Sequence, residues 1–390
     1  MQNKNFLNKH DHRHMSEDLS LTAAGSDEPQ ALEPVRRYPP TESLTSAPSL
    51  AERKRAMEAA PKIRQKASME APDASTLPRN AVIITNPASG SYARFAHDLE
   101  ETVTFLQQAK WQVELKLTKT AGDGSRLARE AVEQKADIVI AAGGDGTINE
   151  IIQELAGSET ALGVLPIGTV NVWAREMVIP LESVGAREVL LHGITRQVDL
   201  GLINERYFLL MVGVGFDGEV VHSVEKNHAK RFGVLGYVFT MLKKSVQFRG
   251  FRVALTLDGH EMRTRALQIV VGNTQLYGGA VTFTWKAKCD DGLLDVCIVH
   301  PGSRWRFLLL LKDLILQRKR QRELVTYQTC TLLDIRSRKP IALQIDGDAA
   351  GQTPATIQIV PGALKIIVPQ VKPEGIFQSG SITEEEREKI

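Results

Sequence analysis

The sequence predicts an N-terminal α/β domain, a parallel sheet with helices on both faces, followed by a mostly antiparallel β-sandwich domain and preceded by a disordered arm. Three observations carry this expectation. Between Ala81 and Asp199 short apolar runs alternate with helical stretches in the order βαβαβ, which implies parallel strands with right-handed crossovers. After Asp199 strand-like runs follow one another with turns between them. Residues 1–80 are rich in Ser, Pro, Glu, Lys and Ala and poor in aromatic and β-branched residues, so they cannot bury enough apolar surface to order themselves. The expected domains are therefore 1–80 (arm), 81–199 (α/β) and 200–370 (β-sandwich), with the tail after residue 370 free to pack back on the α/β domain.

Composition narrows the function classes. At 390 residues, 43% hydrophobic and 24% charged, the chain is that of a globular protein of two ordinary domains. A net charge of +2 lacks the dense basic footprint of a nucleic-acid binder. Cys289, Cys297 and Cys330 are odd in number and widely spaced, which argues against a disulfide framework or a zinc site. No run of eighteen apolar residues and no signal-peptide core is present, so a cytoplasmic protein, with at most peripheral contact at the inner membrane surface, is expected. In the arm, the alternating His10, His12 and His14 read as loose histidines. The basic stretch Ser49–Lys66, broken by Pro61, reads as a transient helix.

Order begins at Ala81. The strand AVIIT leads into Asn86, Pro87, Ala88, Ser89 and Gly90, a helix is expected from Ser91 to Lys110, and a strand from Trp111 to Leu117 ends at Thr118. A helix from Ser125 to Lys135 leads to Ile138–Ala142, an apolar run that reads as a buried parallel strand. It breaks into Gly143, Gly144, Asp145, Gly146 and Thr147, and a helix starts there through Ile148, Asn149 and Glu150. Glycines let backbone N–H groups approach an anion, and the helix adds its positive dipole end, so the predicted ligand is a phosphate chain. Asp145, an acid in a loop that otherwise attracts anions, makes sense facing a metal ion or hydrogen-bonding to neighbouring loops. The strand Ala161–Leu165 is followed by Gly168, Thr169 and Asn171, of which Thr169 and Asn171 supply short polar side chains suited to phosphate, ribose or capping. These loops converge at the carboxyl ends of parallel strands, where α/β sheets bind ligands.

In the second half, strands are expected at Tyr207–Val214, Phe251–Leu257, Met262–Val271, Leu293–Val299, Tyr327–Ile335, Ile341–Ile345, Thr356–Val360 and Ala363–Val368, with Asp258-Gly259 as a hairpin turn. Three acidic turns stand among them, at Gly215–Asp217, Asp290–Gly292 and Asp346–Asp348; each taken alone is an ordinary turn former. The segment Arg304–Arg322 is apolar in its first half and basic at Arg318, Lys319, Arg320 and Arg322. It reads equally as a helix packed on the sheet or as an interfacial helix in peripheral contact with a membrane.

Taken in order, Asn86–Gly90, Gly143–Thr147 with Asn149 and Glu150, Leu165-Pro166 with Gly168–Asn171, Asp290–Asp295 and Asp346–Asp348 resemble the diacylglycerol kinase catalytic domain family, in particular its soluble bacterial lipid kinases related to sphingosine and ceramide kinases. The resemblance runs from Ala81 to Val368. It implies a fold like that of NAD kinase, ATP held by the α/β domain, and lipid and base at the cleft between domains. It further implies nucleotide contacts at Asn86–Gly90, Thr118, Gly143–Glu150 and Thr169, with Asn171 beside them. A structural Mg²⁺ would fall, partly through backbone carbonyls, on Lys288, Asp291 and Leu293. The family's Asp-Gly-Glu loop, which carries the proton acceptor, falls on Asp346 and Asp348, with Asp145 in the catalytic set. This sequence has Asp at position 348 where the family has Glu, so either Asp346 or Asp348 stands as the base; Val172, where many members have Asp, departs from the plain diacylglycerol subgroup.

The expected activity is ATP- and Mg²⁺-dependent phosphorylation of a hydroxyl on diacylglycerol or a sphingoid-type lipid, a chemistry of positioning and charge neutralisation that asks one carboxylate to deprotonate an alcohol. The alternatives are an NAD kinase-like small-molecule kinase and a lipid- or nucleotide-binding regulator impaired by Val172 and Asp348. The partner is a membrane lipid, with no nucleic acid, and a homodimer is allowed without being required.

Overall fold

The computed structural model describes residues 79–89, 92–215, 250–278, 281–302, 324–370 and 375–378. The expected arm, apart from Arg79 and Asn80, lies outside the described residues, as do Gly90, the turn residues Phe216 and Asp217, and Arg304–Arg322.

The first half alternates as its pattern demands. β1 (Asn80–Thr85), β3 (Ile138–Gly143) and β4 (Ala161–Pro166) are the near-continuous apolar runs of strands covered on both faces, and Ile83, Ile84, Ile138, Ile140 and Leu162 lose almost all solvent contact. β2 (Gln112–Leu117) alternates polar and apolar residues and lies at the sheet edge, with Leu115 and Leu117 exposed. The helices are α1 (Tyr92–Gln108), α2 (Asp123–Glu133), α3 (Asp145–Leu155), α4 (Val172–Glu176) and α5 (Ser183–His192). The strands pair in parallel in the order β2-β1-β3-β4.

The second half is antiparallel. β5 (Ile194–Ile203) runs through Asp199 and pairs with β16 (Ala355–Val368) and the short β6 (Arg206–Phe208). β16 joins β4 in parallel and β13 (Leu332–Ser337) in antiparallel pairing, and β8 (Phe251–Leu257) and β9 (His260–Ala266) follow, so one ten-stranded sheet runs through both halves. The second sheet has six strands: β12 (Val325–Cys330), β11 (Leu294–Val299), β10 (Gln268–Gly272), β7 (Met211–Gly215), β14 (Ala342–Ile345) and β15 (Asp348–Gln352). Val212, Val214, Leu255, Ile269, Val296, Ile335 and Leu343 fill the space between the sheets as one apolar cluster.

The structure divides three expected strands. Met262–Val271 becomes β9 and β10, and Tyr327–Ile335 becomes β12 and β13, each of these pairs separated by one residue and each member in a different sheet; Tyr207–Val214 likewise becomes β6 and β7, in different sheets, on either side of Leu209 and Leu210. Periodicity does not register such a crossing, because the run stays β-like on both sides of it. At the second crossing Asp258 secures the corner: its carboxylate accepts the N–H groups of Thr331 and Leu332 and the Thr331 hydroxyl. Asp258-Gly259 is the expected hairpin turn, with both φ angles positive, 46° and 86°. Conversely, the two strands expected between Thr356 and Val368 are one strand, irregular between Val360 and Leu364.

Candidate active site

Register alone brings four loops to one edge. Thr85 pairs with Leu117 and with Ala142, and Gly143 pairs with Pro166, so the chain leaves β1, β2, β3 and β4 at the same level. Asn86 builds the first loop as an Asx turn: its Oδ1 accepts the Ala88 N–H at 2.9 Å and its carbonyl accepts the Ser89 N–H at 3.1 Å across Pro87. Thr118 continues the edge by donating its N–H to the Thr85 carbonyl at 3.0 Å.

The third and fourth loops are locked together. A methyl group on Gly168 would overlap the Cα of Gly144 and stand 2.6 Å from Asn171 Oδ1, so position 168 requires glycine for this close approach, while a methyl on Gly144 would crowd Gly168 Cα at 3.3 Å. Asn171, at φ 53°, donates from Nδ2 to the Pro166 and Gly168 carbonyls at 2.9 Å each. Thr147 packs over Gly143 in the same way. Gly144 begins α3 without a side-chain cap, Gly146 and Thr169 are exposed, and Ile148 is buried in the core. An uncapped eleven-residue helix behind a glycine turn is chemically an anion cradle.

Asp145 and Glu150 turn inward to the protein. Both Asp145 oxygens are engaged, accepting the N–H groups of Val172 and Trp173 at 3.0 Å each, so this acid caps α4. Burial pushes its carboxyl above the usual carboxylate range, and the two amides act in the opposite direction. Glu150 Oε2 accepts the Gly124 N–H at 2.9 Å and its carbonyl accepts the Ser125 hydroxyl at 2.8 Å, a brace between α2 and α3.

The opposing wall is the β14–β15 hairpin. Asp346 and Gly347, at φ 48° and 95°, form a two-residue turn between the paired Ile345 and Asp348. The half-buried Asp346 carboxylate accepts the N–H groups of Leu209, Leu210 and Met211 at 2.9, 3.0 and 2.8 Å, and Asn149 Nδ2 at 3.0 Å. Burial raises its pKa to about 6; the three amides oppose the rise, and the Asp145 charge adds to it. Asp348 stands differently. It pairs with Arg206 at 3.3 Å, and both side chains are substantially exposed.

Four of the predicted residues, Asp145, Asn149, Asp346 and Asp348, thus share one cleft. Sequence reasoning missed Arg206, which also donates to Asn149 Oδ1 at 3.0 Å, and Gln153, whose amide binds Tyr207 from both ends. It also missed Asn273, which donates from Nδ2 to the carbonyls of Asp199 and Leu209 and so steadies the segment whose amides hold Asp346. None of the three sits in a glycine- or acid-rich motif that a sequence reading could find. Glu176 at the end of α4 accepts the N–H groups of Gln275 and Leu276, another tie between the two halves.

Lys288, Asp291 and Leu293 lie apart from this group, on the turn before β11. Asp291 Oδ1 accepts the Leu293 N–H at 3.1 Å, and the neighbouring Asp199 accepts the N–H groups of Gly292 and Gly362 at 2.7 Å each. Burial first, then the charges of Asp199 and Asp290, raise Asp291 to about 6. Among the described residues no group of three or more His, Cys, Asp or Glu side chains is arranged to hold a metal ion.

Two known protein families match the chain one after the other. The diacylglycerol kinase catalytic domain family matches residues 80–203, and the YegS C-terminal NAD kinase beta sandwich-like domain matches residues 210–368. The diacylglycerol kinase of Bacillus subtilis (strain 168) is 27% identical over 299 residues, covering 76% of this chain and 98% of that protein. The diacylglycerol kinase of Staphylococcus aureus (strain bovine RF122 / ET3-1) is 27% identical over 293 residues, covering 75% and 93%. A solved diacylglycerol kinase structure from Bacillus anthracis str. Sterne shares the fold, with a TM-score of 0.58 at 22% identity over 75% of this chain and 97% of that one. A second structure from that organism gives 0.62 at 23% identity over 78% and 99%. Residues 80–203 therefore carry a diacylglycerol kinase catalytic domain, followed at residues 210–368 by a YegS-type NAD kinase beta sandwich-like domain.

Proposed function

We propose that this chain is an ATP- and Mg²⁺-dependent lipid kinase that phosphorylates a hydroxyl of diacylglycerol or a sphingoid-type lipid. The observation that carries the reading is Asp346, a carboxylate with a pKa near 6 facing the glycine loops and held by three backbone amides and Asn149. Such a group is a base poised near neutral pH.

The glycine loops and the uncapped α3 suit the phosphates of ATP, whose γ-phosphoryl group is the one transferred. Asp346 takes the proton of the lipid hydroxyl, the freed oxygen forms the new bond to phosphorus, and ADP departs with the electrons of the broken bond. Asp348, paired with Arg206, orients that side of the cleft. Asp145 stays with the α4 amides and acts on Asp346 through its charge.

For the structural Mg²⁺, the fit rests on charge at the Gly292 turn: beyond burial, the charge of Asp290 raises Asp199, and the charges of Asp199 and Asp290 raise Asp291, and a divalent cation would relieve that. Asp291 and the carbonyls of Lys288 and Leu293 would hold it and fix the turn. Binding of the lipid nearby implies contact with a membrane, and a homodimer is compatible with this reading.

The test is a kinase reaction on a total lipid extract with ATP, read by mass spectrometry of phosphorylated products, with NAD assayed in parallel. A phosphorylated lipid alcohol is expected. Phosphorylation of NAD alone would transfer the chain to small-molecule kinase chemistry, and nucleotide binding without any product would make it a regulator.

A further inference from the structure

The outer face of the ten-stranded sheet, where β13, β8 and β9 lie side by side, is covered with arginine. Register sets the array: Arg252 pairs with Arg265, and Ala254 pairs with Arg263 on one side and Arg336 on the other. Paired residues stand on one face of a sheet, so Arg336, Ala254 and Arg263 form a row across three strands, and Arg252 and Arg265 begin the next. Val253, Leu255 and Leu257 point to the opposite side, into the sandwich core. Arg338, just past β13, completes a shallow depression of about 520 Å³ around Ala254. All five arginines are exposed.

Nearby carboxylates leave most of this charge uncompensated. Glu261 pairs with Arg263 at 2.8 Å, and Asp334 accepts the Thr356 hydroxyl at 2.6 Å. Among the described residues Arg252, Arg336 and Arg338 form no ion pair.

We propose that the face formed by Arg252, Arg263, Arg265, Arg336 and Arg338 docks the protein on an anionic phospholipid bilayer. The proposal rests on the lipid-substrate reading, since an alcohol embedded in a bilayer has to be met at its surface. Guanidinium groups bind phosphate with paired donors, and a broad sheet face presents several at once to a planar array of headgroups. A single-stranded nucleic acid would ask for aromatic stacking platforms, and the depression is lined by none.

The test uses the full chain without nucleotide, sedimented with vesicles of phosphatidylcholine alone or of phosphatidylcholine mixed with phosphatidylglycerol. Binding to the mixed vesicles only is expected, weakening as salt rises. R252Q/R336Q/R338Q is expected to lower that partitioning on the order of 100-fold, at roughly fivefold per arginine. The same variant should keep its melting temperature and its phosphorylation of a dissolved short-chain diacylglycerol. Equal partitioning of variant and parent, no preference for anionic vesicles, or tighter binding to an oligonucleotide than to vesicles would overturn the proposal. Intact vesicle binding with no product from any dissolved lipid would instead remove the kinase reading and leave the docking face in place.

Discussion

Asn149 Nδ2 donates to Asp346 Oδ2 at 3.0 Å, joining the first turns of α3 to a hairpin turn almost two hundred residues later in the chain. The contact spans the cleft, because α3 begins at the glycine loop and Asp346 belongs to the opposite wall. It orients the proposed base with respect to the proposed phosphate cradle. Asn149→Ala removes a donor that favours the charged carboxylate. The acid limb of the pH–rate profile is expected to move to higher pH, with kcat down by roughly one to two orders of magnitude. An unmoved limb would show that Asn149 serves only packing.

The two candidate acids separate by what holds them. Asp346 is gripped by three amides and faces Asp145 across the cleft, whereas Asp348 shares a partly exposed ion pair with Arg206. Asp346→Asn is expected to lower kcat by about 10³-fold or more, and Asp348→Asn by about tenfold, since one removes the proton acceptor and the other a weak surface pair. Steady-state rates on a dissolved lipid alcohol, with circular dichroism as the folding control, decide it. The reverse order of effects would make Asp348 the base.

Activity should fall with acid. Asp346 titrates near 6, above its unfolded value, because burial disfavours its charge. The native state therefore holds this proton over a window, from about 4 to 6, where the unfolded chain has lost it, so the residue's contribution to stability declines as pH rises through that window. Catalysis runs the other way. The deprotonated form is needed, so kcat/KM of the free enzyme is expected to drop about tenfold per unit below pH 6. A rate flat down to pH 5 would exclude Asp346 as the titrating base.

Much of this was legible in the residues and some could not have been. Glycine turns after apolar runs located Gly143–Thr147 and Gly168–Asn171, because a backbone approaching within contact distance tolerates no side chain and the sequence must spell glycine there. Asp346-Gly347 was legible as an acidic turn for a similar reason: both positions take positive φ. By contrast, Asn149 was readable as part of the glycine motif but its partner was not, since a contact across 197 positions leaves no local trace. Gln153 and Asn273 act through hydrogen bonds to backbone, which any sequence at the far end satisfies, and the side-chain partners of Arg206 lie 57 and 142 positions away. Strand crossings at Leu267 and Thr331 escaped for the same physical reason: inward-facing residues continue on both sides of the corner.

The approach of Gly144 to Gly168 makes a strict steric demand. Gly168→Ala places a methyl group against the Cα of Gly144, which is backbone and has no rotamer to yield. A loss of about 1–3 kcal/mol in unfolding free energy is expected from overpacking, together with weaker nucleotide binding as the two loops move apart. Calorimetry with and without ATP measures both. Unchanged stability would mean that the loops open freely.

Glu176 provides the sharpest test of how the two halves are held together. It lies on α4, whose N-terminus Asp145 caps, and its carboxylate accepts the buried N–H groups of Gln275 and Leu276 in the loop after β10. One short helix thus ties the glycine loop to the β-rich half at both of its ends. Glu176→Ala strands two buried amides and leaves a void, whereas Glu176→Gln keeps an acceptor oxygen and the volume. The alanine variant is expected to lose about 3 kcal/mol, and the glutamine variant about half of that, because the penalty comes from unmade hydrogen bonds to buried donors. Urea unfolding midpoints at constant slope provide the measurement. If both variants lost the same amount, charge rather than hydrogen bonding would be what Glu176 contributes, and the tie between the halves would have to be sought elsewhere.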